Sequence, residues 1–510
     1  MIRHLSYSSI LLLSTTACNE FAVKEPNQEY WDNSSEAWED QDSSYDEDTQ
    51  EEYHNDTEEG VYTNPWVNTA EEPTSTFSAD VDSGSYTITR RDLNSGVLPT
   101  PAEVRTEEFI NYFHYDDVGP DSELPFAVQI ESAPSFFGDA DDIHLLRIGI
   151  QADEIPEEER DPVNLIFLLD VSGSMYDDLD LVRYSMKQLV DKLSPSDTLG
   201  IVVYAGAEGV VLPPTAVENK SFIMDALDNL EAGGSTNGEA GIRRAYELAE
   251  GAFREDGVNR VVICSDGDMN VGLTGDSLVS LIEDYRETGI FLTTLGFGMG
   301  NYQDSQMEQL ADHGNGNYAY IDTANEALRV LGDNLVSTLQ VVAKDVKIQV
   351  SFDADIVERW RLIGYENRVL DNEDFENDLV DAGDIGAGHS VTGLYEIDYV
   401  DTLSSVDSAD IGIVSRVSIR YKEPTASEST QHDWVLRPDG RMNSFEEASP
   451  SFRFAASVAE FAEILRGSPH SEGAQFEDIL SIAQQAIDDS ASTPSKEEFL
   501  NLVDIAKVLH

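Results

Sequence analysis

The chain is 510 residues long, enough for more than one domain with its own core. Its 99 Asp and Glu against 31 Lys and Arg give a formal net charge of -68. Nucleic-acid binding is excluded as a reading, because neutralising phosphates takes clustered Lys and Arg that this chain lacks. The acid is spread along the whole length, which fits a solvated surface that stays soluble in salt, or a field that steers cations and basic partners.

Arg3 and His4 precede a short apolar stretch at 10–13, and Thr15-Thr16-Ala17-Cys18 follows. Residues 1–18 resemble a bacterial lipoprotein signal, which implies cleavage before Cys18 and lipidation of its sulfur. Thr15 stands where such signals usually carry a bulky aliphatic residue. The alternative is an ordinary secretory signal with an Ala-containing cleavage site. The expected location is the bacterial cell envelope, periplasmic or surface-facing, with the membrane reached through the lipid anchor. No other apolar stretch is long enough to span a bilayer. Residues 19–73 are acidic and polar, with clusters at Asp46-Glu47-Asp48 and Glu51-Glu52, and are expected to form a disordered, self-repelling linker.

Residues 74–160 read as helices followed by strands. Residues 86–93 suit a helix. A second is expected over 101–115 (PAEVRTEEFINYFHY), with Pro101 in its first turn and Val104, Phe109, Ile110 and Phe113 near helical spacing. Asp82-Ser83-Gly84-Ser85 imitates an aspartate-and-serine metal loop but spaces its serines wrongly, so it is rejected as a metal site. Residues 126–130 and 143–150 look like strands.

The most informative stretch begins at 161. Residues 163–169 (VNLIFLL) form a near-continuous apolar run that ends at Asp170-Val171-Ser172-Gly173-Ser174. Such a run predicts a central parallel strand covered on both faces, and ligands in open α/β sheets bind at the carboxyl ends of such strands. Helices are expected at 181–193 and 238–253 and strands at 199–204, 260–264 (RVVIC) and 290–297. A closing helix at 324–339 carries Leu328, Leu331, Leu335 and Leu339 on one face. The alternation predicts an α/β fold, a doubly wound, mainly parallel sheet over 161–342. Gly296, Gly298 and Gly300 are turn chemistry and not a dinucleotide fingerprint, whose surrounding unit is missing. Cys264 lies inside a strand, where a thiol behaves as a small hydrophobe, and no disulfide to Cys18 is expected.

Two further loops follow predicted elements: Gly233-Gly234-Ser235-Thr236 and Ser265-Asp266-Gly267. Asp170, Ser172, Ser174, Thr236 and Asp266 together supply two carboxylates and three hydroxyls, the oxygen donors of a hard divalent cation. In an Asp-x-Ser-x-Ser turn, residues two apart project to one side, so Ser172 and Ser174 can offer hydroxyls to one ion. Each fragment alone is an ordinary polar turn. All three at strand ends make the specific signal.

These loops resemble the metal-ion-dependent adhesion site of von Willebrand factor A domains, with all five residues present. The resemblance implies Mg²⁺, with Mn²⁺ or Ca²⁺ as substitutes. It further implies that Thr236 binds directly or through water, while Asp170 and Asp266 act largely through water and by orienting the hydroxyls. One coordination position then stays open for the Asp or Glu carboxylate of a protein partner. Residues 74–115 are similar, through STFSADVDSGSY, LNSGVLP and VRTEEFINYF, to the region preceding the A domain in a family of bacterial von Willebrand A lipoproteins. RLIGYENRVL and DAGDIGAGHSVTGLYEI are similar to that family's C-terminal domain. Within 343–440, residues 346–352, 391–399 and 413–421 alternate as strands do. With strands on both sides of the A domain, the expected architecture is an A domain inserted in a β-sandwich. Residues 441–510 carry helical patterns at 452–465, 476–487 and 496–509.

The expected function is non-enzymatic: an envelope-anchored adhesion or scaffolding protein that binds its partner through the metal. One rival is a metal-dependent envelope hydrolase, which also needs a positioned base and nucleophile. Ser172 lacks a Gly-x-Ser-x-Gly elbow, and His389, between glycines and Ser390, reads as a turn residue. The other rival is a purely structural envelope protein whose metal only staples the loops. Arg183, Lys187 and Asp191 read as a solvated, salt-bridged helix face.

Overall fold

The strand Val163–Asp170 is buried at every position and pairs in parallel with Thr198–Tyr204 on one side and Val258–Ser265 on the other. The computed structural model describes residues 62–121, 124–136, 143–204, 209–233, 238–267, 276–298, 304–400, 412–437 and 440–510. The signal, Cys18, the linker up to residue 61, the Gly234–Ser235–Thr236 loop and Gly300 lie outside the described residues. Side chains of the central strand alternate between two cores. Leu165, Phe167 and Leu169 pack with Val182, Met186 and Leu189 of the helix Leu179–Lys192, while Ile166 and Leu168 pack with Ile242, Ala245 and Tyr246 of the helix Gly238–Gly251. Both faces are therefore dry, and the sequence there has no polar stripe.

The six strands run in the order Tyr318–Tyr320, Ile290–Gly296, Val258–Ser265, Val163–Asp170, Thr198–Tyr204, Gly209–Ala216. Only the last is antiparallel to its neighbour. It carries Pro213 and Pro214, tolerable because an edge strand leaves one side without ladder bonds. The expected salt-bridged face of Leu179–Lys192 does a further job. Lys187 pairs with Asp228, and Asp191 with Lys220 at 2.6 Å, on a helix, Lys220–Asp228, that sequence periodicity left unnoticed.

The A domain interrupts a two-sheet sandwich. One sheet has the order Val67–Asn68, Val357–Ile363, Ser390–Tyr399, Ile143–Ala152, Phe126–Pro134; the other runs Ile385–Gly386, Val341–Phe352, Ser415–Lys422, Thr430–Leu436, with Thr74–Ser78 also on Val341–Phe352. Their faces meet through rings such as Phe352 and Tyr395, 5.5 Å apart between centroids, and Phe126 and Tyr421 at 4.9 Å. A separate core joins the helices Pro450–Arg466, Phe476–Asp488 and Pro494–Leu509 to the N-terminal segment, where Phe113 meets Phe454 edge-on at 5.0 Å.

Three expectations need correction. Residues 62–73 pack onto the sandwich and are not part of a linker over 19–73: Val67 and Asn68 pair with Trp360 and Arg359, and the buried Asn64 amide donates to the carbonyls of Leu362 (3.2 Å) and Gly364 (2.7 Å). The single helix over 101–115 is a short turn, Pro101–Glu103, and a helix, Thr106–Tyr112, separated by extended Val104 and Arg105. The Ser85 hydroxyl donates to the Glu103 carbonyl at 2.5 Å and accepts from the Arg105 N–H at 2.9 Å, removing both groups from the helical ladder. The closing helix is likewise broken into Ala324–Leu328, a π-turn at Arg329–Asp333, and Leu335–Leu339. The wider turn rotates the apolar stripe, so Leu331, Leu335 and Leu339 are buried while Leu328 is 36% exposed.

Candidate metal centre

Asp170 is the last residue of the central strand and is fully buried. Its Oδ1 accepts the Ser172 N–H at 2.8 Å and its Oδ2 accepts the Ser265 hydroxyl at 3.2 Å, so the carboxylate folds the turn that follows it. Within that turn Ser172 Oγ and Ser174 Oγ stand 2.8 Å apart, the same-side projection expected from their spacing. Ser174 opens the 3-10 turn Ser174–Tyr176, which leads into the helix Leu179–Lys192. Asp266 follows the neighbouring strand Val258–Ser265 and is also buried. Gly267 turns the chain there with φ +86°, a conformation that suits glycine. The third loop reaches the site through Gly233, whose N–H donates to the Val171 carbonyl at 2.7 Å. Thr236 itself lies outside the described residues.

The electrostatics are those of concentrated acid. Burial pushes the Asp170 carboxyl up to about 6; the hydrogen bonds from Ser172 oppose this, and the charge of Asp266 adds to it. No Lys or Arg pairs with Asp170 among the described residues. Asp178, just past the turn, is raised by burial, then by Asp177 and Asp266. The Tyr204 phenol, buried on the adjoining strand, is pushed well up by burial and then by Asp170. Two buried carboxylates and two facing hydroxyls at the sheet's carboxyl edge fit a hard divalent cation, whose charge would offset the repulsion and whose oxygen preference matches every donor. Among the described residues, neither these loops nor any other place brings together three or more His, Cys, Asp and Glu arranged to hold a metal, so the fit here rests on two carboxylates and two hydroxyls.

Asp170, Ser172, Ser174 and Asp266 thus come from two adjacent strand ends, as the sequence pattern requires. Sequence reasoning overlooked Asp178 and, though it named Ser265, missed its bond to Asp170. Ser265 sits in the quoted Ser-Asp-Gly triplet, and its role becomes visible only once the two strands are paired. His389 is a turn residue here: the Gly386 N–H points at its Nδ1 at 3.4 Å, and burial lowers its pKa to about 4.

This fold and these loops define a von Willebrand factor type A domain, and the family model of that domain matches residues 164–334. A second model, described as von Willebrand factor, matches residues 48–146, and one described as uncharacterized protein YfbK, C-terminal, matches residues 337–509. Uncharacterized protein YfbK of Escherichia coli (strain K12) is 39% identical over 467 residues, covering 87% of this chain and 80% of its own. The chain belongs to the YfbK family of bacterial von Willebrand factor A domain proteins. Uncharacterized protein sll0103 of Synechocystis sp. is 30% identical over 187 residues, 36% of this chain and 43% of that one. A solved structure, von Willebrand factor type A from Catenulispora acidiphila, aligns with TM-score 0.43 and 14% identity over 78% of this chain and 98% of that one.

Proposed function

We propose that this protein binds a divalent cation, most simply Mg²⁺, through Asp170, Ser172, Ser174, Thr236 and Asp266, and that a protein partner completes the metal shell with an Asp or Glu carboxylate. The observation that carries this reading is the pair of buried carboxylates, Asp170 and Asp266, set against two hydroxyls 2.8 Å apart. Bound there, the cation supplies a positive point that an external carboxylate can fill. The Asp170 carboxylate shapes the turn, and Ser172 and Ser174 present their oxygens without neutralising the ion. The role is adhesion or scaffolding rather than hydrolysis, with the chain held at the bacterial envelope through a lipidated Cys18.

Capture of an envelope partner on the immobilised mature chain tests this. It should require Mg²⁺, vanish with chelator and with Asp170→Ala, and be competed by free glutamate. Equal capture with and without chelator, by wild type and variant alike, contradicts it.

A further inference from the structure

The edge strand of the A-domain sheet, Tyr318–Tyr320, is covered by the helix Gly84–Asn94 of the N-terminal segment. The contact is stepwise. Asp82 accepts the Tyr318 N–H at 2.8 Å, and Gly84 lies so close to the Tyr318 ring that an added Cβ would sit 2.1 Å from its Cε1. About two turns further on, Arg91 Nη1 donates to the Tyr320 hydroxyl at 2.9 Å, with the guanidinium 5.2 Å from the ring centroid. Beyond it, Arg90 binds Glu326 at 2.9 Å as well as Asp322.

Tyr320 does not end the chain of contacts. It is buried, and its hydroxyl donates to the carbonyl of Gly298. Gly298 has φ +85°, and a Cβ there would stand 3.0 Å from Asp178 Oδ2 and 3.4 Å from the Cβ of Asp266. The loop bearing Gly298 is pinned from both sides: the Phe297 N–H donates to the Ser265 carbonyl at 2.9 Å, and the Ile321 N–H to the Gly296 carbonyl at 2.8 Å. The wall against which Asp266 packs is therefore held by two backbone hydrogen bonds and, at Gly298 itself, by a phenol that an arginine from outside the A domain orients.

We propose that Arg91 is a positioning residue for the metal centre, acting through the Tyr320 hydroxyl on the Gly298 carbonyl and so on the placement of Asp266. The role rests on the metal-binding reading given above, and it makes the segment preceding the A domain a working part of the site. Groups that orient metal ligands without touching the metal commonly change affinity by about 10–100-fold when removed. Arginine suits the position because it stacks on the ring while donating to the hydroxyl, and lysine does only the second.

The test uses the full mature chain as wild type, Tyr320→Phe, Arg91→Gln, Arg91→Lys and the double variant Tyr320→Phe/Arg91→Gln. Tyr320→Phe removes one oxygen and keeps the ring, so it remains informative if Arg91→Gln folds poorly. Hydrogen exchange of the metal-free proteins over 294–298 and 318–323 reports the loop, and Mn²⁺ titration well below the melting temperature reports the site. Faster exchange with roughly tenfold weaker Mn²⁺ binding is expected for Tyr320→Phe and Arg91→Gln, and a smaller loss for Arg91→Lys. The double variant should be no worse than Tyr320→Phe, because both act through one contact. Wild-type exchange in Tyr320→Phe and Arg91→Gln overturns the positioning role whatever the metal does. Loosened exchange with wild-type Mn²⁺ affinity also overturns it, leaving Arg91 only a structural contact. If the wild type binds no Mn²⁺ while the loop still responds to Tyr320→Phe, the metal reading has failed and the positioning role falls with it.

Discussion

Asp161 and Gln340 clamp the two connections between the A domain and the sandwich to each other. The Asp161 N–H donates to Gln340 Oε1 at 2.9 Å, and Gln340 Nε2 donates back to Asp161 Oδ2 at 3.0 Å. Asp161 lies two residues before the central strand, and Gln340 is the one residue between Leu339 and the sandwich strand Val341–Phe352. Entry and exit thus leave the domain at one place. Because the clamp is exposed, Gln340→Ala should cost only about 1 kcal/mol. Chemical denaturation checks this; a loss several times larger would mean the clamp organises the whole joint.

A second prediction concerns pH. Glu460, on the helix Pro450–Arg466, has an Oε1 without a hydrogen-bond partner among the described residues. Burial, then the neighbouring Glu463 and Glu396, raises its carboxyl from 4.5 to about 8. A carboxyl raised on folding favours the native state at low pH. Its contribution is complete below about 4.5 and is lost as pH rises through about 8. Glu460→Gln should therefore stabilise the protein increasingly over that interval, by on the order of 1–3 kcal/mol at the upper end. Melting curves of wild type and variant from pH 5 to 9 decide it, and parallel profiles would contradict it.

The third bears on the covering of the A-domain edge. Gly84→Ala must push Tyr318 aside or lift the helix, because the new Cβ would overlap the ring at 2.1 Å. The expected cost is about 1–3 kcal/mol, with faster hydrogen exchange over 84–94. An unchanged melting temperature would show that the ring yields freely.

Much of this was legible in advance, and the exceptions have physical causes. The run VNLIFLL announced a strand buried on both faces because no residue in it serves water, and the Asp-x-Ser-x-Ser spacing announced two facing hydroxyls. The edge strand Gly209–Ala216 was hidden by its two prolines, which argue against a central strand but not against an edge. The helix Asp304–His313 is polar enough to pass for a loop, whereas Asp276–Arg286 carries Leu278, Leu281, Ile282 and Tyr285 at helical spacing and was legible but missed. Arg90 and Arg91 were invisible as junction residues, since charge on a short helix reads as solvent-facing until a partner surface is known. Ser85 overrode a good helical period by capturing backbone groups on both sides of Val104.

A fourth prediction concerns the amino terminus. If Cys18 carries the anchor, the mature chain starts there and bears several acyl chains, since a single chain holds a membrane only marginally. Mass spectrometry of the purified membrane-bound protein should find residue 18 first and acylated. An unmodified Cys18, or a different first residue, rules the anchor out.

Metal binding itself is the most direct test. Calorimetry with Mg²⁺ and Mn²⁺ should show one site in the wild type and none in Asp170→Ala or Thr236→Ala, with circular dichroism of both variants unchanged. Asp170 closes the central strand and its carboxylate shapes the turn that follows rather than the ladder, so losing it removes a donor without opening the strands. Wild-type affinity retained in both variants would mean that the loops do not converge on a cation.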